Sequence, residues 1–344
     1  MKSSWKFILG LTVALTAILS IMMTAFSMPA VNSGIHQVPI GLIAPDDATY
    51  QKLATPLKNK GFKVEQYQSL NTVKDQVNQR KIYGAIELSN TGDVTVYQAT
   101  AASSAVAQAL NQIGTGIVDQ QKAAGIKQLA LAAQQAGDPI MLKTINARMT
   151  ALQAKQVKVV ELKAFPKTDA KGVGLAAGAL PIALGGWTGS VAIANAVKGK
   201  WQKFAAILCF AFIGGLGLVA VIQFGIGTFD GNYWLTSLGA MLGIAATGFF
   251  VLGLLEVIGN WGLAIAAITL ILLGNPLSGL TSAPEMLPSG WGAFGQLLPP
   301  GATGTLLRNL AFFDGHATAL PLLVLATYVL GGMLLFKLGD KSEI

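Results

Sequence analysis

The sequence contains six apolar segments, each about as long as a helix that crosses a lipid bilayer. Such a helix needs about 20 apolar residues, and the segments lie at 7–28, 173–197, 204–227, 235–258, 261–280 and 319–336. The composition agrees, because 12% of the residues are charged, whereas soluble domains carry about 25%. The sequence therefore predicts an α-helical polytopic membrane protein with six transmembrane helices, and it excludes an ordinary cytosolic enzyme and a disordered chain.

One polar block interrupts this pattern. Residues 31–172 hold 16 of the 24 Lys and Arg residues and 10 of the 16 Asp and Glu residues. Strand-like runs lie at 38–44, 62–67, 82–88, 93–99 and 157–165. Helical spacing marks 49–61, 70–81 and a long stretch over 101–152, with possible breaks at Gly125 and near Gly137. The pattern predicts an α/β domain inserted between helices 1 and 2.

This division gives three predicted domains. They are an N-terminal transmembrane anchor (1–30), an extracytoplasmic α/β domain (31–172) and a five-helix transmembrane domain (173–344) with an external re-entrant segment at about 281–316. The first apolar segment is longer than the 7–15 residues typical of a signal peptide. We therefore interpret it as an uncleaved anchor; the alternative is a signal peptide cleaved near Ala25-Phe26-Ser27.

Lysine placement predicts the orientation in the membrane. Cytoplasmic loops carry an excess of Lys and Arg. The lysines between or beside the apolar segments are Lys2, Lys6, Lys198, Lys200, Lys203, Lys337 and Lys341. Six crossings place all of them on one side, so both termini are predicted to be cytoplasmic and residues 31–172 to be extracytoplasmic, in a multi-pass protein of the plasma membrane.

Neither a catalytic set nor a cofactor site is predicted. The sequence has no Walker A motif, and its glycine clusters lie inside apolar segments. Cys209, His36 and His316 are far apart in the sequence, whereas a structural zinc site needs about four ligands. No basic stripe with interleaved aromatic residues indicates nucleic acid. We therefore expect no enzymatic activity, metal, cofactor or nucleic-acid partner for this chain.

Two polar residues near the end of the fourth apolar segment are candidate functional residues. Glu256 lies about one turn before the predicted cytoplasmic end, and Asn260 lies about one turn further on. An ionisable group at membrane depth is by default a functional hypothesis. The alternative is that Glu256 simply extends its carboxylate to the interface, and the sequence leaves both interpretations open.

The connection before the last apolar segment is too apolar for a solvated loop and is broken by prolines. Proline removes a backbone donor and restricts the preceding residue. Irregular backbone at membrane depth must be shielded by protein or by a wet cavity, so the connection is predicted to fold back into the outer half of the bundle. Its charges, Glu285, Arg308 and Asp314, either pair or are solvated independently.

Three stretches carry a resemblance to a known family. They are VPIGLIAPDD (38–47), QRKIYGAIEL (79–88) and, most specifically, NPLSGLTSAPEMLPSGWGAFGQLLPPGATGTLLRNL (275–310). With the order of the apolar segments, they resemble type-2 ABC transporter permeases, in particular the YhgE/Pip (phage infection protein) branch. The resemblance extends over nearly the whole chain.

The resemblance implies a permease subunit that works as a homodimer or heterodimer with a separate ATP-binding subunit. It would export an amphipathic or envelope-directed substrate across the lipid bilayer. The loop between the second and third spans would contact the ATPase through Lys198, Lys200, Trp201 and Lys203. An external re-entrant gate would contain Pro284, Glu285, Pro288, Pro299, Pro300, Gly301 and Arg308.

The coupling loop and the N-terminal tail are shorter than in many such permeases. A second hypothesis is therefore a non-transporting envelope scaffold or receptor, on which a protein or a phage docks through the external domain.

Overall fold

The computed structural model describes residues 4–136 and 138–339, which form two compact units. One unit is Gln37–Ala164, and the other contains the chain up to His36 and from Phe165 onward. Lys2 and Lys341, used above for the orientation, and Gly137, near a predicted helix break, lie outside the described residues.

The elements of the described residues follow in chain order: α1 (Trp5–Val31), β1 (Val38–Ile43), α2 (Asp47–Asn59), β2 (Phe62–Gln66), α3 (Leu70–Asn78), β3 (Gly84–Leu88), β4 (Val94–Gln98), α4 (Ser104–Gln135), α5 (Pro139–Ala154), β5 (Lys158–Glu161), α6 (Val173–Ala196), α7 (Lys200–Ala220), α8 (Tyr233–Ile258), α9 (Asn260–Ala267), α10 (Trp291–Gln296), α11 (Pro299–Phe312) and α12 (Ala319–Leu338). Helices α7 and α9 continue as π-helices over Val221–Ile226 and Ile268–Gly274.

The Gln37–Ala164 unit is built on a five-stranded sheet in the order β2-β1-β3-β4-β5. Strand β1 pairs in parallel with β2 and β3, β4 is antiparallel to β3, and β5 is parallel to β4. Each strand lies inside the segment predicted for it. The β3–β4 turn closes through a hydrogen bond from Ser89 N to Asp93 O (3.0 Å), and Gly92 supplies the positive φ of +80° that this turn needs.

Local sequence signals explain the helices of this unit. The Asp46 carboxylate accepts a hydrogen bond from Thr49 N (2.8 Å) at the start of α2, and Ser69 and Ser103 cap α3 and α4 in the same way. The predicted break at Gly125 is wrong, since α4 continues to Gln135. Gly125 instead provides space for α5, because a Cβ there would lie 3.7 Å from Leu152 Cγ and closer still to its Cδ2.

The other unit contains five helices long and apolar enough to cross a membrane, counted over the described residues: α1, α6, α7 with its π-helical continuation, α8 and α12. The chain is thus a polytopic helical membrane protein. The fifth of the six predicted spans differs from its prediction. It is an apolar helix of only 15 residues, Asn260–Gly274, instead of a helix over 261–280.

The early end of this helix has a local cause. At about 1.5 Å per residue it reaches ~22 Å, less than the ~30 Å of a hydrocarbon core. Pro276 follows within two residues, and it has no N–H with which to continue the hydrogen bonds of the helix. Gly274 also packs against Pro300, whose Cγ would lie 2.7 Å from an added Cβ.

Helix α8 is the centre of the bundle. About 67% of its most apolar stretch is buried, against 28% for α6, α7 and α12 and none for α1. Ser190 of α6 donates a hydrogen bond to Gly248 O of α8 at 2.8 Å. Helices α6, α7, α9, α11 and α12 all pack against α8.

Candidate functional site

One end of α8 carries an ion pair that the sequence analysis did not foresee as a pair. Lys203 Nζ lies 2.8 Å from Glu256 Oε1, and the two side chains are 22% and 21% exposed. Lys203 lies in the first turn of α7, and Glu256 lies two residues before the last residue of α8. The structure therefore brings together Lys203 of the predicted coupling loop and the predicted intramembrane acid Glu256.

Aromatic side chains pack together next to this ion pair, around the start of α7. The Phe204 ring lies 5.0 Å from the Phe249 ring and 6.1 Å from the Phe336 ring, measured between centroids. Lys200 Nζ lies 5.2 Å from the Phe336 centroid, a cation–π distance. Trp201 contacts Phe204 edge-on and is otherwise 78% exposed. The sequence analysis missed the three phenylalanines, because nothing marks them among the other apolar residues of their helices.

Close helix packing fixes the geometry around Glu256. A Cβ on Gly332 of α12 would collide with the backbone of α8 at Phe249, and a Cβ on Gly253 would collide with the carbonyl of Gly332. At the end of α12, a Cβ on Gly339 would lie 2.7 Å from Glu256 O. Small residues here allow the backbones of α8 and α12 to touch.

Two of the predicted residues at this end of the bundle lie away from the ion pair and its neighbouring aromatic rings. Lys198 is exposed in the short turn before α7, where Gly199 has a φ of +89°. Asn260 is also exposed, and it does not lie one helical turn beyond Glu256 as predicted. Helix α8 ends at Ile258, and the turn at Gly259 (φ +58°) starts α9 in a new direction.

The proline-broken connection packs against the other half of α8. Helices α10 and α11 form a hairpin, here called the α10–α11 hairpin (residues 291–312). Its residue Thr303 packs on Gly243 and its residue Leu310 packs on Gly239. Gly243 is near the middle of α8, about 20 Å from Glu256 at 1.5 Å per residue, so the hairpin folds back to the middle of the bundle.

The predicted gate residues divide into two groups. Pro299, Pro300, Gly301 and Arg308 are buried in α11, whereas Pro284, Glu285 and Pro288 are half-buried in the preceding turn. Prolines at the first two positions of α11 cost no hydrogen bond, because those N–H groups have no partner within a helix. Gly301 is needed because a Cβ would collide with the carbonyl of Gly295 in α10.

Arg308 is a gate residue with a clear polar role. Its side chain is only 4% exposed, and Nη2 donates a hydrogen bond to Leu280 O at 2.9 Å. The alternative of three independently solvated charges is therefore wrong for Arg308. It ties α11 to the irregular chain that precedes it, and Gly34 N and His36 N, just after α1, donate to Met286 O and Glu285 O in the same connection.

Neutral polar residues of the hairpin were missed by the sequence analysis. Gln296 Nε2 donates to Ser278 O (2.8 Å), and Thr305 donates to Gln296 Oε1 (2.6 Å). Asn309 Nδ2 donates to Ala317 O at 3.0 Å. Two of these bonds satisfy backbone carbonyls of the irregular chain before and after the hairpin. Their spacing follows no regular period, so the sequence alone gave no signal for them.

The Gln37–Ala164 unit has its own polar feature on one face of the sheet. Tyr67 donates to Glu65 Oε2 at 2.8 Å, and Tyr97 donates to Glu87. Burial and the neighbouring carboxylate raise the pKa of Tyr97 to about 12, and the same causes raise the pKa of Tyr67. Among the described residues of the chain, no group of three or more His, Cys, Asp and Glu side chains is placed to hold a metal ion.

The fold defines a class of protein: a polytopic helical membrane protein in which a central helix joins an ion pair at one end to a folded-back hairpin at the other. Residues 5–195, more than half of the chain, match the family model described as ABC-2 family transporter protein. The chain therefore belongs to the ABC-2 transporter family and is an ABC transporter permease. A search of curated proteins returned no match.

Proposed function

We propose that the chain is the membrane-spanning subunit of an ABC-type exporter that a separate ATP-binding subunit drives. The family match supports the class, because ABC-2 permeases generally associate with such a subunit. The observation that carries the proposal further is the Lys203–Glu256 ion pair at the start of α7. The ion pair connects the surface that an ATPase would contact with α8, the central helix of the bundle.

Transmission would proceed through α8. A partner that binds Lys198 and the exposed Trp201 would displace the first turn of α7, and the Lys203–Glu256 pair and the Phe204 contacts would pass that displacement to α8. Since the α10–α11 hairpin packs on the far half of the same helix, it would shift with α8 and open or close the outer exit. The buried Arg308 keeps the hairpin intact while it moves.

The topology proposed for this mechanism has six crossings. The helix Asn260–Gly274 would complete the fifth crossing with the irregular chain before residue 284, shielded by α11 as irregular backbone in a membrane must be. Both termini would then be cytoplasmic, and the Gln37–Ala164 unit would lie outside the plasma membrane. Lys6 and Lys337 would flank the cytoplasmic side with the lysines of the α6–α7 turn, in agreement with the positive-inside rule.

Branch, assembly and substrate are proposed from the resemblance. The connection at 275–310 favours the YhgE/Pip branch, and permeases of this class work as pairs, so a homodimer or heterodimer is expected. An amphipathic or envelope-directed substrate fits a pathway between apolar helices that opens beside an external domain. We propose no cofactor, metal or catalytic residue in this chain.

Co-purification tests the proposal. The full chain is co-expressed with its candidate ATP-binding subunit, extracted in mild detergent and assayed for bound ATPase and ATP hydrolysis. We expect the ATPase to co-purify with the unmodified chain and with Trp234→Ala, and to be lost with Trp201→Ala. Both tryptophans are exposed, 78% and 67%, at opposite ends of the bundle.

Two results would contradict this proposal. If no ATPase co-purifies with the unmodified chain, the scaffold or receptor hypothesis becomes the better one. If both tryptophan variants keep the ATPase equally well, the coupling surface is not at the start of α7.

A further inference from the structure

The Gln37–Ala164 unit leaves large apolar side chains exposed almost only at the tip of one helical hairpin. The hairpin is α4 and α5, and its tip carries Leu131 (54% exposed), Ile140 (75%) and Met141 (53%). The remaining large apolar residue exposed in this unit, as far as the structure describes it, is Val159 on the edge strand β5. Clustered apolar exposure of this kind indicates an interaction surface.

Two neighbouring helix ends carry the residues of the tip. Leu131 lies in the last turns of α4, and Ile140 and Met141 lie in the first turn of α5. Asp138 caps α5 by accepting a hydrogen bond from Ile140 N at 2.9 Å. Since α4 extends from the sheet for many residues beyond its last buried residue, Val118, these side chains stand at the far end of a projecting arm.

The charges around the tip indicate which kind of surface can bind to it. Residues 122–148 contain four basic side chains, Lys122, Lys127, Lys143 and Arg148, and a single acidic one, Asp138. Lys127, Lys143 and Arg148 are exposed. Two copies of this tip would bring like charges together, which opposes self-association. An apolar tip with a basic rim instead matches the two parts of an anionic lipid surface, acyl chains and phosphates.

We propose that the α4–α5 tip docks on an anionic lipid surface, with Leu131, Ile140 and Met141 inserted among the acyl chains and the basic rim at the headgroups. This proposal is independent of ATP coupling, because it rests on the Gln37–Ala164 unit alone. The tip would hold the unit against a membrane, which is useful for a protein that hands over or receives an amphipathic molecule.

A fluorescent label at the tip tests the docking. Cys209 is the only cysteine of the chain, so a Cys209→Ala background allows a single probe, NBD, at Ile140→Cys in the full-length protein. The matched control carries NBD at Thr150→Cys, an exposed position about 15 Å further down α5 at 1.5 Å per residue. Each protein is reconstituted in nanodiscs of phosphatidylcholine with or without phosphatidylglycerol, and nitroxide-labelled lipid is added as quencher.

Two versions of the experiment distinguish whether the tip binds the membrane that holds the protein or a separate membrane. Nitroxide lipid is placed either in the nanodisc that holds the protein or in added phosphatidylglycerol vesicles. We expect a blue shift and quenching of the tip probe in one of these versions, only with anionic lipid, and neither effect at Thr150→Cys. Replacing Lys127, Lys143 and Arg148 by Gln should weaken the docking about 100-fold, since each basic residue near an anionic leaflet contributes about fivefold.

Two outcomes would overturn the proposal. One is a tip probe that remains solvated and unquenched in both versions. The other is a blue shift that depends on protein concentration and needs no anionic lipid, which would mean that the tip binds a second copy.

Discussion

The Lys203–Glu256 ion pair is expected to couple α7 to α8 energetically, and neutral variants measure that coupling. The single changes are Lys203→Gln and Glu256→Gln, and the double variant combines them. Each single change leaves the other charge in a site that is about one-fifth exposed. The double variant leaves two neutral amides side by side, so it should be less destabilising than the sum of the two single changes.

The size of the effect follows from the burial of the pair. Exposed ion pairs contribute about 0.2–1 kcal/mol, and breaking a fully buried pair costs about 3–5 kcal/mol. With side chains 22% and 21% exposed and an N–O distance of 2.8 Å, a coupling energy of roughly 1–3 kcal/mol is expected. Such coupling corresponds to about 5- to 150-fold in an equilibrium constant.

The chain offers a matched control in the Lys63–Glu65 pair. Its N–O distance is 3.0 Å, similar to the first pair, but its side chains are 60% and 40% exposed. The same double-mutant cycle there should give no more than about 1 kcal/mol. The assay is reversible unfolding of the full-length protein in mixed micelles, and the reciprocal variant Lys203→Glu with Glu256→Lys should recover stability that Lys203→Glu alone loses.

The reasoning would be refuted by equal coupling energies in the two cycles, or by a Lys203–Glu256 coupling indistinguishable from zero. Either result would mean that the carboxylate and the ammonium are solvated independently. The ion pair would then be no mechanical connection between α7 and α8.

Three further predictions concern other parts of the structure. Gly332→Ala should destabilise the bundle by about 1–3 kcal/mol through overpacking against α8. The control Gly331→Ala should be neutral, because a Cβ at Gly331 would meet open space. Thermal melting in detergent compares the two variants. Arg308→Met should lower the melting temperature clearly more than the exposed Arg148→Met, because it leaves a buried carbonyl unpaired. Because the pKa of Tyr97 is raised from 10.0 to about 12, its contribution to stability is complete below pH ~10 and is lost as the pH rises to ~12. Tyrosinate absorbance should show this late ionisation, and Tyr97→Phe should remove the Tyr97 step while the late ionisation of Tyr67 remains.

The elements of the fold were largely predictable, because each had a strong local signal. Alternating or continuous apolar runs with turn residues between them gave all five strands, and apolar length gave five of the membrane helices. The errors arose where tertiary contact overrides the local signal. The sequence predicts a helix break at Gly125, yet Gly125 lies inside α4, where Leu152 of α5 packs against it.

The fifth apolar segment shows the same limit. Its sequence is apolar through residue 280, so hydropathy predicts a full span. The helix ends at Gly274 because Pro276 has no N–H to continue its hydrogen bonds and because Pro300 packs closely against Gly274. Hydropathy measures the cost of transfer into lipid, but not the shape of the protein that fills the same space.

The candidate site was predictable only as separate parts. Lys203 stood out as a basic residue between two apolar segments, and Glu256 stood out as an acid within one. Their pairing depends on the antiparallel arrangement of α7 and α8 and on the packing of Phe204 of α7 against Phe249 of α8. Neither feature has a periodicity that the sequence shows.

Sidedness is the most direct measurement of the central claim, that an ATPase-facing turn and an external α/β unit lie on opposite sides of one membrane. In the Cys209→Ala background, single cysteines at Asp75, in α3, and at Lys198, in the α6–α7 turn, are treated with a membrane-impermeant thiol reagent in intact cells. Asp75→Cys should react at once, and Lys198→Cys only after the membrane is permeabilised. Reaction of both cysteines in intact cells, or of Lys198→Cys alone, would contradict the account.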